Sequence, residues 1–205
     1  MTLTQITLFF LGIMAVIVMA MLVHSYLDKR KIKKSLLYLI TQYKGEVLQE
    51  SIFQYPRFHS EKNGQKFDLF FDVIKVGRHH ILYSIYSITA SLPHACLFIQ
   101  KENYKAIADE ARFTEENGAI LAGIDAPFQG RSQQPVWAEM AYQQKGIRDA
   151  IQALDSFSSL QLGPDALVAG KPYEGISDTD PEWVARSVKT LEKLARGLEQ
   201  CPSPV

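Results

Sequence analysis

The side chains that could do chemistry are few and badly spaced for it. His79 and His80 are adjacent, Asp68 and Asp72 lie four apart, and Asp125 follows the apolar run from Ala119 to Ile124. Adjacent histidines in a strand point to opposite faces, so this pair cannot close on one metal ion. Asp68 and Asp72 would share a strand face, yet four extended residues separate them by about 13 Å. That is too far to share a proton, and somewhat beyond the carboxylate spacing of an inverting glycosidase. Asp125 is therefore the best single candidate for a reactive carboxylate, with the loop Asp125 to Gln134 at its mouth. His59 and His94 stand singly in turn-like sequence, and neither cysteine, Cys96 or Cys201, has a partner at metal-ligand spacing. No nucleophile elbow, phosphate-binding glycine loop, C-x-x-C pair or H-E-x-x-H is present. No catalytic residue, metal site or cofactor is assigned.

The elements that would position these residues suggest an α+β domain. Phe67 to Val76 alternates Phe67, Leu69, Phe71 and Val73 with Asp68, Phe70, Asp72 and Ile74, the period of a strand. Gly77 and Arg78 then turn into a second β-rich run, His80 to Ala90, which predicts a hairpin. A third strand is expected at Ala95 to Gln100, where Cys96 behaves as a small buried hydrophobe, and weaker strands at 46–65, Ala119 to Ile124, Ser159 to Leu162 and Ala166 to Ala169. Helices are predicted over Lys101 to Arg112, Pro135 to Leu154 and from Pro181 onward. The last is marked by Asp180 as cap and Pro181 in the first turn. Val184, Val188, Leu191, Ala195 and Leu198 form its inner stripe, and Arg186, Lys189, Lys193 and Arg196 face water. A mainly antiparallel sheet covered by two or three helices satisfies this order, with Tyr83, Tyr86, Trp137 and Tyr142 filling its core.

Ahead of this domain lies the strongest signal in the chain. Ile6 to Val23 is eighteen consecutive residues without a charge, and the uncharged run reaches Leu27 with only His24 interrupting it. A bilayer core takes roughly 20 apolar residues of helix, so residues 1–27 are read as a transmembrane anchor with Tyr26 at the interface. Lys29, Arg30, Lys31, Lys33 and Lys34 follow directly, whereas Met1 to Gln5 carry no charged side chain. By the positive-inside bias the N-terminus lies outside and the C-terminal domain is cytoplasmic, at an inner or plasma membrane. A cleaved signal peptide fits less well, since the basic n-region is missing and Met19, Ala20 and Met21 make a poor cleavage site. The five basic residues are the expected membrane-surface contact, each able to attract anionic lipid by about 1 kcal/mol.

Residues 28–44 then read as a basic juxtamembrane helix or linker stopped near Gly45, residues 45–199 as the soluble domain, and residues 200–205 as a disordered tail containing Cys201. The chain balances at 22 basic and 22 acidic residues, but setting aside the five flank cations and Asp28 leaves 17 basic against 21 acidic. A body of net charge minus 4 carries no nucleic-acid face. The layout of span, basic flank, hairpin at Phe67 to Asp72 and C-terminal helix resembles uncharacterised bacterial single-pass membrane proteins with a cytoplasmic domain of unknown function. That resemblance implies inner-membrane residence and brings no catalytic residues. The expectation is a membrane-anchored interaction or accessory module whose partners are the bilayer and another membrane or cytoplasmic protein. The alternatives are a membrane-tethered enzyme working through Asp125, or a binder of anionic lipid surfaces.

Overall fold

The computed structural model describes residues 3–62, 64–76, 78–100, 119–125 and 127–202. The helix expected at Lys101 to Arg112 lies outside these residues. A single helix, α1 (Leu3–Tyr43), runs 41 residues without a break, about 60 Å at 1.5 Å per residue. From Leu8 to Leu27 its large apolar side chains stand exposed, and it is long and apolar enough to cross a membrane. Beyond Leu27 it changes character: Ile32, Leu36 and Leu39 are fully buried in the core of the domain. Their spacing of four and three places them on one stripe, so the last turns of the helix are part of the packed body.

The helix stops at Lys44, which takes a left-handed φ of 52° and donates its N–H to the Ile40 carbonyl at 2.8 Å. Gly45, the expected stop, has a different task. A Cβ there would sit 2.3 Å from the His59 carbonyl and 2.5 Å from the Phe58 ring, so glycine lets the chain turn tightly onto the sheet.

The sheet is antiparallel throughout: β1 (Glu46–Leu48), β2 (Arg57–Lys62), β3 (Gln65–Val76), β4 (His79–Thr89), β5 (Cys96–Gln100), β6 (Ala119–Ile120), β7 (Phe128–Ser132), β8 (Ser159–Leu162) and β9 (Ala166–Pro172). Its order is β1-β2-β3-β4-β9-β8-β5-β7-β6. The expected hairpin is β3 with β4, in a register that opposes Phe67 to Ile88 and Val76 to His79. The expected third strand, β5, is not its neighbour, because β9 and β8 insert between them. Part of the expected loop Asp125 to Gln134 is a strand, β7. Gly130 makes this possible, since a Cβ there would meet Leu121 at 2.7 Å and Phe98 at 3.1 Å.

Among the described residues, three further α-helices pack with the sheet. α2 (Pro135–Gln143) and α3 (Lys145–Gln152) replace the single helix expected over this stretch. Gln144 adopts an extended ψ of 119° between them, which lets α2 bury Trp137 and Tyr142 while α3 buries Ile147 and Ile151. α4 (Pro181–Glu199) matches its prediction: Asp180 accepts hydrogen bonds from the N–H groups of Glu182 and Trp183 at 3.0 and 3.1 Å. Val184, Val188, Leu191, Ala195 and Leu198 are buried beneath it. The same core holds Tyr86, Trp137 and Tyr142 from the expected aromatic set, and Cys201. The chain thus remains packed at Cys201, where an unstructured tail was expected.

Candidate functional site

The aspartates and the cysteine singled out for chemistry, Asp68, Asp72, Asp125 and Cys96, are each engaged by a neighbour. Asp68 faces His59 across the β2–β3 ladder and gathers Arg57 and His59 on one oxygen. Its Oδ1 accepts from Arg57 Nη2 and lies against His59 Nδ1, both at 2.8 Å. Asp72 turns to its own strand instead, accepting the Val73 N–H at 2.8 Å. The two aspartates therefore form no dyad. His79 and His80 open β4 as consecutive exposed residues, on opposite faces of the strand as the sequence implied.

Asp125 is an exposed clasp. Its Oδ2 accepts from Tyr142 Oη at 3.3 Å and from Gln152 Nε2 at 3.4 Å, and its N–H donates back to Tyr142 Oη at 3.1 Å. It ties the segment before β7 to α2 and α3. Cys96 is buried and donates to Ser132 Oγ at 3.2 Å, and burial pushes its thiol up to about 11. A thiol so poorly ionised at neutral pH is a weak nucleophile. Among the described residues, no group of three or more potential metal ligands converges.

The end of the domain next to the exposed stretch of α1 is organised by the basic flank, whose members do different work. Lys29 is only 8% exposed. Its ammonium donates to the Phe53 carbonyl at 2.6 Å and lies 5.1 Å from the centre of the Tyr55 ring, so it holds the β1–β2 connection against α1. Arg30, Lys31 and Lys34 are exposed, and Lys33 is half-buried. Lys31 also lies 3.9 Å from Asp28, which pairs in turn with His24 at 3.2 Å. Asp28 is felt across this end: after burial, its charge is a further cause raising the hydroxyls of Tyr55 and Tyr173, the latter to about 12. Behind these rings a buried pair, Lys171 with Asp178, fixes the loop before α4. Asp178 also accepts the Glu174 N–H at 2.7 Å, and Ser35 of α1 donates to the Thr179 carbonyl at 2.5 Å.

At the far end of the buried stretch of α1, two clefts flank α4. One, of about 640 Å³, has Tyr43, Ser60, Phe67 and Ile88 in its walls. The other, of about 740 Å³, runs along Gln144, Gly146 and Ile147. Lys189, Glu192 and Arg196 belong to both, Arg186 lines the first and Lys193 the second. Four exposed cations thus rim the pair, and Glu192 answers only in part, through Arg196 at 3.7 Å. Tyr43 anchors the floor: its hydroxyl donates to the Ala185 carbonyl at 3.5 Å, and its carbonyl accepts from Ser60 Oγ at 2.5 Å. Burial, and then the charge of Glu192, push its hydroxyl up to about 12. Sequence reasoning placed the four cations in water but missed that β2, β3 and α1 wall a cleft beside them. That depends on contacts between residues more than a hundred positions apart, for which the sequence has no local signal.

No protein-family model matches the chain, and no curated protein matches its sequence. A solved structure does: the mycobacterial trehalose monomycolate transport factor A, TtfA, superposes with a TM-score of 0.60 over 86% of this chain and 97% of that one, at 10% identity. At that identity the likeness is one of fold.

Proposed function

We propose that this chain is a membrane-anchored accessory module, and that the clefts along α4 receive an acidic segment of a partner protein. The observation that carries the reading is the rim itself: Arg186, Lys189, Lys193 and Arg196 stand exposed over two clefts on a body that is otherwise net acidic. Such a contrast selects and steers an anionic partner. α1 supports it mechanically, because the apolar stretch and the buried stripe of Ile32, Leu36 and Leu39 share one helix, which tethers the body close to the bilayer. The positive flank favours a cytoplasmic position for that body. Arg30, Lys31, Lys33 and Lys34 attract anionic lipid headgroups there, and Lys29 acts inside the fold. The fold is shared with a protein named as a transport factor, which supports an accessory role in moving a substrate at the membrane.

Photo-crosslinking tests this reading. A benzophenone amino acid at Thr190, on the full chain in its native membrane, should yield a discrete protein adduct that fades with salt. The adduct should be lost in the R186E/K189E variant while the protein level is unchanged. Absence of any adduct at every ionic strength, or an adduct indifferent to both charge reversals, would overturn it. The rival enzyme reading makes a separate prediction: Asp125→Asn would abolish function and leave adduct formation intact.

A further inference from the structure

The β1–β2 connection carries two of the most exposed apolar side chains outside the span, Ile52 at 61% and Phe53 at 70%. The turn is not loose. Gln54 N–H donates to the Ser51 carbonyl at 3.1 Å, Phe53 N–H to Ser51 Oγ at 3.2 Å, and Gln49 Nε2 to the Gln54 carbonyl at 3.0 Å. A built turn that displays isoleucine and phenylalanine to water needs a reason, since apolar surface of this kind is normally withdrawn.

The position of the turn supplies one. Lys29 grips the Phe53 carbonyl at 2.6 Å, and Lys29 is two residues beyond Leu27, where the uncharged run of α1 ends. Two residues of helix rise about 3 Å, while the interfacial zone outside the hydrocarbon core is roughly 5 to 8 Å deep on each side. The turn is therefore pinned at headgroup depth by the same helix that crosses the bilayer. Around it stand Tyr26, exposed on α1, and Tyr55 beneath the Lys29 ammonium, residue types that favour this zone. Arg30 and Lys34 are exposed just beyond, as cations facing an anionic leaflet would be.

We propose that the Ser51–Gln54 turn is a lipid-inserting wedge, with Ile52 and Phe53 entering the bilayer interface beside the transmembrane helix. The occupant of this surface is lipid, because Lys29, two residues past the uncharged run of α1, holds the turn beside the end of that run. A single helix leaves a body free to rotate and tilt; a second point of insertion removes that freedom and fixes which side of the domain faces away from the membrane. The inference rests on α1 spanning the bilayer.

The experiment uses the full chain in vesicles of phosphatidylethanolamine and phosphatidylglycerol, with an environment-sensitive fluorophore on single introduced cysteines. Cys96 and Cys201 are buried and stay unlabelled in the folded protein. Probes go at Gln54 in the turn, at Val16 in the span, and at Arg186, which sits near Tyr43 and about 20 Å further along α1 from Lys29. With nitroxide lipids, the Val16 and Gln54 probes should be quenched and the Arg186 probe should not. Quenching at Gln54 should be lost in I52S/F53S, with Val16 still quenched. Quenching at Val16 without quenching at Gln54 would overturn the wedge alone, as would Gln54 quenching that survives I52S/F53S. An unquenched Val16 probe would overturn the span, and the wedge with it.

Discussion

Lys29 shows how a charge run conceals different fates. Counted by proximity, it is one of five flank cations; counted by helical spacing, it precedes Ile32 by three and joins the stripe of Ile32, Leu36 and Leu39. The sequence held that signal, and periodicity rather than charge density was the way to read it. Lys29→Met should keep the stem packed but leave the Phe53 carbonyl without its donor, a loss of about 1 to 3 kcal/mol. Faster hydrogen exchange across residues 50–56, with the remainder unaffected, is the expected signature. Asp178 offers a sharper case. Replacing it by Asn leaves the largely buried Lys171 ammonium with only the more distant Glu174 carboxylate at 3.8 Å, and breaking such a pair costs about 3 to 5 kcal/mol. Chemical denaturation of the full chain in detergent should show a lower midpoint at unchanged slope. Neither partner was legible in the sequence, since an Asp and a Lys seven apart in loop-rich sequence have no periodic signature.

Among the elements, those whose stabilisation is local were legible. The β3–β4 hairpin carries a two-residue alternation and a short turn, and α4 carries a cap, a first-turn proline and a five-residue inner stripe. The elements misjudged depend on distant neighbours. β7 looked like loop because Pro127, Gly130 and Ser132 disfavour a strand, yet Gly130 is what β7 needs to lie against Phe98 and Leu121. The α2–α3 break leaves the hydrophobic pattern nearly intact, so periodicity alone runs across it. α1 was visible as a long apolar helix, and its packing into the body is the testable part. Leu36→Ala should cost about 2 to 5 kcal/mol, whereas the same change at exposed Leu37 should stay within about 0.5 kcal/mol. Thermal unfolding in detergent micelles would separate them.

For the whole molecule, burial of weak acids sets the alkaline limit of stability. Folding lifts the hydroxyls of Tyr43 and Tyr173 from 10.0 to about 12 and the Cys96 thiol from 9.0 to about 11. In that window the unfolded chain gives up protons that the folded chain keeps, so unfolding is favoured as pH rises. Stability should be at its full value below about pH 9 and fall between about pH 9 and 12, measurable as the urea midpoint against pH. A helix long and apolar enough to cross a bilayer was legible, because its length and composition are local to the sequence. The basic clefts were not, because the fold has to bring α1, β2, β3 and α4 together before they exist.

We propose that one helix spans the bilayer and holds the domain at its cytoplasmic face. The most direct measurement is labelling of an R186C variant of the full chain with a membrane-impermeant maleimide, in intact and then in permeabilised cells. The native thiols are buried, so the signal belongs to the new one. The account predicts a membrane-bound protein labelled only after permeabilisation; labelling in intact cells, or recovery of the protein in the soluble fraction, would contradict it.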